Sequence, residues 1–221
     1  MPQKTAIILG ATGLTGSLLL DKLLQDDRYR KIKIFSRSHV KQKHEKIEEY
    51  LIDLFALESV SNLFTADEVY CCIGTTRQKT PDKDTYRMID FGIPATAAKI
   101  ARNNEIRTFQ VISAMGANEN SKIFYNRVKG EMEGAVMEQK IANTYILQPS
   151  LIGGEREENR PMEYLWKKIM SLGDNLLVGN LKKYRSIHPE AIAKAMIYLA
   201  NNEYTSGRIP SDEIKDIAEK Y

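Results

Sequence analysis

The sequence predicts an α/β fold, a doubly wound parallel sheet with helices on both faces, on three observations. Short β-branched runs alternate with helical patterns along most of the 221 residues, the rhythm of βαβ units. The first run ends in a glycine-spaced loop that opens directly into an amphipathic segment. The composition, 43% hydrophobic and 28% charged, is that of a globular chain long enough to bury roughly 70% of its unfolded surface. At about 150 residues per domain, one domain over residues 1–221 is expected.

Taken in order, strands are expected at Thr5–Leu9, Lys31–Phe35, Glu49–Ile52, Val69–Ile73, Thr108–Ser113 and Thr144–Gln148. Helices are expected at Leu14–Gln25, where Leu18, Leu19 and Leu23 share a face, and at Ser59–Phe64, Ile89–Asn103, Phe124–Gln139 and Pro189–Asn201. After Gln148-Pro149-Ser150 the rhythm breaks. Gly153-Gly154 and a charged stretch lead into a helical segment at Pro161–Leu172, read as a cap of about residues 151–185 over the carboxyl edge of the sheet. Its stripe of Tyr164, Leu165, Trp166, Ile169 and Met170 either packs on the sheet or roofs a pocket. Gly207 and Pro210 predict a turn before a last helix at Asp212–Tyr221.

The loop Gly10-Ala11-Thr12-Gly13-Leu14-Thr15-Gly16 stands where a Rossmann unit binds pyrophosphate. Glycines permit the tight turn and close approach of backbone to phosphate, and the N–H groups and dipole of the next helix favour the anion. No Lys follows Gly16, which excludes a Walker loop. At the end of the second strand an NAD-preferring enzyme carries an acid for the ribose diol; here Ser36-Arg37 stands instead. Arg37 can fork to a 2′-phosphate and Ser36 can donate to it, so NADP (NADPH) is expected over NAD. His39 or Lys41 can assist. Asp53 either accepts from the adenine amino group or caps a helix. Gly74 and Thr75, leaving the fourth strand, bring backbone close to the cofactor.

Tyr125-Asn126-Arg127-Val128-Lys129 is a YxxxK run, which on a helix sets phenol and ammonium on one face a turn apart. Ser113 ends the preceding strand, twelve residues upstream. That trio suits carbonyl reduction: Tyr125 as general acid, Lys129 lowering its pKa and holding the nicotinamide ribose, Ser113 orienting the carbonyl. No metal ligands are assigned.

On the glycine loop, on Cys71-Cys72-Ile73-Gly74-Thr75-Thr76-Arg77, and on Val128-Lys129-Gly130-Glu131 after Tyr125, the chain resembles the short-chain dehydrogenase/reductase superfamily along nearly its whole length. It is most similar to the atypical branch that includes the Tat-interacting-protein-like oxidoreductases. The resemblance implies a Rossmann-like sheet of about seven strands, Tyr125 and Lys129 as catalytic, and Ser36-Arg37 as the NADP discriminator. Relatives commonly carry two or more Ser after the fifth strand, whereas Ala114 follows Ser113 here. The superfamily's further catalytic Asn has no clear counterpart; Asp90 stands near its place and can cap its helix.

Two functions follow as expectations: hydride transfer between NADP(H) and a small carbonyl or alcohol substrate, or NADP(H) sensing through a protein partner without turnover. Basic residues are scattered, and the formal net charge is only +3, so no nucleic-acid partner is expected. The uncharged stretch Thr5–Leu20 is broken by three Gly and three Thr, so no membrane span or signal is expected there. Cys71 and Cys72, adjacent in an apolar run, read as inert core thiols of a cytoplasmic protein. His188, ahead of Pro189, reads as a helix cap. Either a monomer or a homodimer is compatible.

Overall fold

A computed structural model describes residues 3–153 and 185–221. Strands β1 (Lys4–Leu9), β2 (Tyr29–Ser36), β3 (Ile47–Leu51), β4 (Glu68–Cys71), β5 (Thr108–Ile112), β6 (Asn143–Gln148) and β7 (Gly207–Pro210) form one sheet in the order 3-2-1-4-5-6-7. Every pairing is parallel. The helices among the described residues are α1 (Leu14–Leu24), α2 (Lys83–Arg87), α3 (Ile93–Asn103), α4 (Phe124–Glu138), α5 (Pro189–Asn201) and α6 (Ser211–Ala218). The order of strands reverses between β1 and β4, and the crevice outside their carboxyl ends is where this class of sheet binds ligands.

Strand alternation sorts the core into two layers. Ala6 and Ile8 of β1, with Ile32 and Ile34 of β2, meet Leu19, Leu20 and Leu23 of α1 and Ile192, Ala193 and Met196 of α5. Ile7 and Leu9 face the other way, with Val69, Phe109 and Val111, onto Ile93, Ala97 and Ala101 of α3 and Met132 and Val136 of α4. Strands buried on both faces read as continuous apolar runs, which is why they were legible as strands. Gln110, wholly buried in β5, donates to the carbonyl of Met196, fastening α5 to the sheet.

Three expectations change. The predicted turn at Gly207–Pro210 is instead β7, pairing with Tyr145–Gln148. Four residues ending in Pro suffice for an edge strand, where a missing N–H costs nothing. The helix expected at Ser59–Phe64 is a 3-10 segment at Leu54–Val60, capped by Asp53. The helix expected from Ile89 begins earlier: α2 runs through a π turn at Met88–Gly92 into α3. The cap of residues 151–185, with its Pro161–Leu172 helix and Tyr164–Met170 stripe, falls almost wholly outside the described residues; its flanks meet at the parallel bridge Ile152–Ile187.

Candidate active site

The glycine loop is built by contacts that exclude side chains. Gly10 adopts φ +84°, and a Cβ there would stand 2.8 Å from the Cys72 carbonyl oxygen. The loop leaving β1 thus rests on the loop leaving β4. A Cβ on Gly16 would strike the Gly10 carbonyl oxygen at 2.1 Å, so the first turn of α1 seats directly on the loop. Gly13 donates to Gly10 at 3.0 Å and stands at the N-cap of α1, where no side chain caps the helix and the first turn holds no acid. Thr12 and Gly13 are exposed, Leu14 is half-buried and Thr15 is buried. Unsatisfied amides, a positive helix end and a backbone cradle are what a pyrophosphate needs.

At the end of β2, Ser36 is buried and its Oγ donates to the Ser38 carbonyl at 2.6 Å, so its hydrogen shapes the loop instead of facing outward. Arg37 is exposed and makes no ion pair with a described residue. Glu49 holds this loop: its carboxylate accepts from the Val40 N–H at 2.8 Å and meets His39 Nδ1 at 2.9 Å. Asp53 Oδ1 accepts from the Phe55 N–H at 3.0 Å, filling the capping alternative.

Lys129, on α4, is buried; its Nζ lies 2.9 Å from Asp90 Oδ1 and donates to the Ile112 carbonyl at 3.3 Å. Asp90 Oδ2 accepts from the Thr75 N–H at 2.8 Å. The Nζ–Oδ1 contact is an ion pair outside hydrogen-bond angles, and Oδ1 receives no hydrogen bond from a described residue. A Cβ on Gly74 would stand 3.6 Å from this oxygen and 3.7 Å from Nζ, so the loop leaving β4 passes in contact with the buried pair. Burial pushes the Lys129 ammonium toward neutrality, and Asp90, Tyr125 and Cys71 together outweigh it, leaving its pKa raised.

Tyr125 is 40% exposed at the crevice. The expected lowering of its pKa is not the net result. Burial pushes the phenol up, Lys129 pulls it down, Asp90 pushes it up again, and the sum is a raised value. Ser113 separates from the trio: its buried Oγ donates to Glu133 Oε1 at 2.5 Å. Glu133 also accepts from Gln148 at 2.9 Å and from Arg208 at 2.5 Å, tying α4 to β5, β6 and β7. Sequence reasoning missed Glu133 and offered Asp90 only as a helix cap, whereas its carboxylate takes the Thr75 N–H and faces Lys129. Glu133 repeats the i, i+4 stripe of Tyr125 and Lys129, a signal that was present.

A second close approach sets this end of α4. A Cβ on Gly130 would lie 2.2 Å from the Glu119 amide nitrogen and 2.3 Å from the Asn118 carbonyl carbon. The loop after β5 therefore lies flat on the helix beside Lys129, and the Asn118 N–H donates to the Asn126 carbonyl. Burial pushes the Cys71 thiol up to about 11 and raises Cys72 further, as inert core thiols require. His188 caps α5, accepting from the Glu190 N–H at 3.3 Å.

The sheet overlays the Bordetella bronchiseptica enzyme WbmH in complex with NAD+ with a TM-score of 0.73, at 13% identity, covering 98% of this chain and 80% of that one. A UDP-N-acetylglucosamine 4-epimerase from Methanobrevibacter ruminantium aligns with a TM-score of 0.71 at 19% identity, over 95% and 76% of the two chains. These likenesses show the fold. In sequence, Protein HTATIP2 of Rattus norvegicus is 30% identical over 184 residues, 81% of this chain and 76% of the relative. Protein fmp52, mitochondrial, of Aspergillus niger is 31% identical over 215 residues, 94% and 91% of the two chains. The mitochondrial designation of the fungal relatives overturns the expectation of a cytoplasmic protein. Among the described residues no helix is long and apolar enough to cross a membrane. Residues 10–152, from the first glycine of the loop to the bridge at Ile152, match the family described as NAD(P)H-binding, and to that family the chain belongs.

Proposed function

We propose that the protein is an NADP-dependent oxidoreductase of the atypical short-chain type, reducing a small carbonyl compound or oxidising the matching alcohol. The observation that carries this reading is the buried Lys129 with Tyr125 one turn away at the crevice mouth, beside Gly74 and across from the glycine loop. The site fits a dinucleotide: the cradle at Gly10 and Gly16 and the uncapped end of α1 suit a pyrophosphate, and Lys129 beside Gly74 suits ribose hydroxyls. When bound, the reduced nicotinamide supplies a hydride to the carbonyl carbon and is itself oxidised.

The chain's own residues then have distinct work. The amides of Leu14, Thr15 and Gly16 bind the pyrophosphate, with Gly13 fixing the turn through its bond to Gly10 and Thr12 at the rim, and Arg37 takes the 2′-phosphate. Ser36 supports Arg37 by fixing the turn through Ser38. Lys129 holds the ribose hydroxyls and keeps positive charge beside the phenol. As the C=O bond becomes C–OH, Tyr125 gives its proton to the oxygen; in oxidation it takes that proton back. Ser113, committed to Glu133, acts through the placement of α4, and no described hydroxyl is assigned to orient the carbonyl. A sensor has no need of a proton-transferring pair, which favours turnover over the regulatory alternative.

Tyr125→Phe tests this. The variant keeps NADPH affinity, and turnover in a panel of aldehydes, ketones and quinones drops about a hundredfold or more. Turnover equal to wild type removes Tyr125 from the chemistry.

A further inference from the structure

The π turn at Met88–Gly92 carries a lone acid among apolar neighbours, and π turns inside helices concentrate at functional sites. Asp90 is 1% exposed and joins three parts of the crevice: Oδ2 takes the Thr75 N–H, Oδ1 faces Lys129 Nζ, and Lys129 in turn donates to the end of β5. A buried carboxylate of this kind is costly without a counter-charge, and the only cation it meets among the described residues is Lys129. An amide would satisfy the Thr75 N–H equally well. The charge is therefore spent on the lysine.

We propose that Asp90 is a positioning residue that locks Lys129 in the crevice, offsets its charge at Tyr125 and so adds to the hold on the Tyr125 proton that carbonyl reduction uses. The inference rests on the reading of Tyr125 and Lys129 as the proton-transferring pair. The ionisable groups in electrostatic contact here are Tyr125 and Lys129 on α4, Asp90 on the π turn, Tyr86 on α2 and Cys71 on β4. Burial holds both Tyr86 and Cys71 above their ordinary values, so Asp90 and Lys129 supply the fixed charges at neutral pH. Reduction consumes the proton on Tyr125, and oxidation needs the phenolate. Lys129 pulls the phenol toward its phenolate; burial, the larger effect, and the Asp90 carboxylate both oppose this and keep the proton donor loaded.

The test reads the phenol directly and needs no substrate. The protein is labelled with 13Cζ-tyrosine, the Tyr125 signal is assigned by its loss in Tyr125→Phe, and its shift is followed against pH in wild type and Asp90→Asn. Removing the carboxylate's charge should move the Tyr125 midpoint to lower pH by about one pH unit, the scale on which a near charge acts. Asp90→Ser removes the same charge and reads the same quantity where the amide variant does not fold. An unmoved or raised midpoint in a folded variant overturns the inference while leaving the proposed reaction standing. A lowered midpoint supports it, and a Tyr125→Phe protein that then turns over normally would sink the reaction and not the coupling.

Discussion

Gly130→Ala is a demanding perturbation because helix propensity and packing point in opposite directions. Inside α4 the substitution favours the helix by about 1 kcal/mol. Against this, the new Cβ would stand 2.2 Å from the Glu119 nitrogen and 2.3 Å from the Asn118 carbonyl carbon, both backbone atoms of a loop fastened to α4 through Asn126. Helix and loop must separate by roughly 1 Å to regain ordinary contact, and overpacking against two backbone atoms falls at the upper end of the usual range or above it, about 2–4 kcal/mol. A net loss of about 1–3 kcal/mol corresponds to a fall in Tm of roughly 3–10 °C for a chain of this size. Gly92→Ala is the control, since a Cβ there meets nothing within 4 Å and its φ is −61°. That variant should melt at or slightly above wild type. Thermal denaturation of both, side by side, decides the matter. If Gly130→Ala melts as high as wild type, the close seating of the loop on α4 is refuted.

Other outcomes follow from the same geometry. Gly16→Ala, placing a Cβ 2.1 Å from the Gly10 oxygen, should abolish NADPH binding measured by nicotinamide fluorescence, and retained binding would contradict the described loop. Glu133→Ala leaves Ser113 and Gln148 without their shared buried acceptor, while the half-exposed Arg208 returns to water, and should cost about 1–3 kcal/mol in denaturant unfolding; no measurable loss would show the network to be weak. Glu68, wholly buried beside Lys4, Tyr29 and Tyr70, has its pKa raised above 4.5 by burial, which its partners only partly offset. Its folded state holds the proton more tightly than the unfolded one, so its contribution is full below about pH 4.5 and is lost as pH rises through the higher folded value. Wild type should therefore lose stability relative to Glu68→Gln across that window, and parallel stability curves for the two would refute it.

The parts legible in the sequence are those whose signal is local. A glycine loop between a strand and a helix, and a YxxxK run on a helix, are set by spacing alone, and both lie at the carboxyl edge as spacing requires. Contacts between residues distant in the chain were not legible. Asp90 reaches Lys129 only because β4 and β5 are neighbours and a π turn shifts the register of the helix between them. Ser113 is instructive, since its destination was available from parity. Phe109, Val111 and Ser113 alternate on one face of β5, the face that packs on α4, so its hydroxyl points into that layer. β7 was missed because Gly and Pro at its ends carry turn signals, while its four residues carry too little pattern to outvote them. The location was misread because two reduced thiols speak to redox state and not to compartment.

The central claim is that a dinucleotide carrying a 2′-phosphate sits across the crevice between β1 and β4, with Arg37 at its far end. Titrating the purified protein with NADPH and with NADH, for wild type and Arg37→Asp, tests it most directly. Wild type should bind NADPH at least about tenfold tighter, a difference of roughly 1.4 kcal/mol, and Arg37→Asp should erase that difference. Equal affinities in wild type would contradict the role of Arg37, and no binding of either nucleotide would contradict the account of the crevice itself.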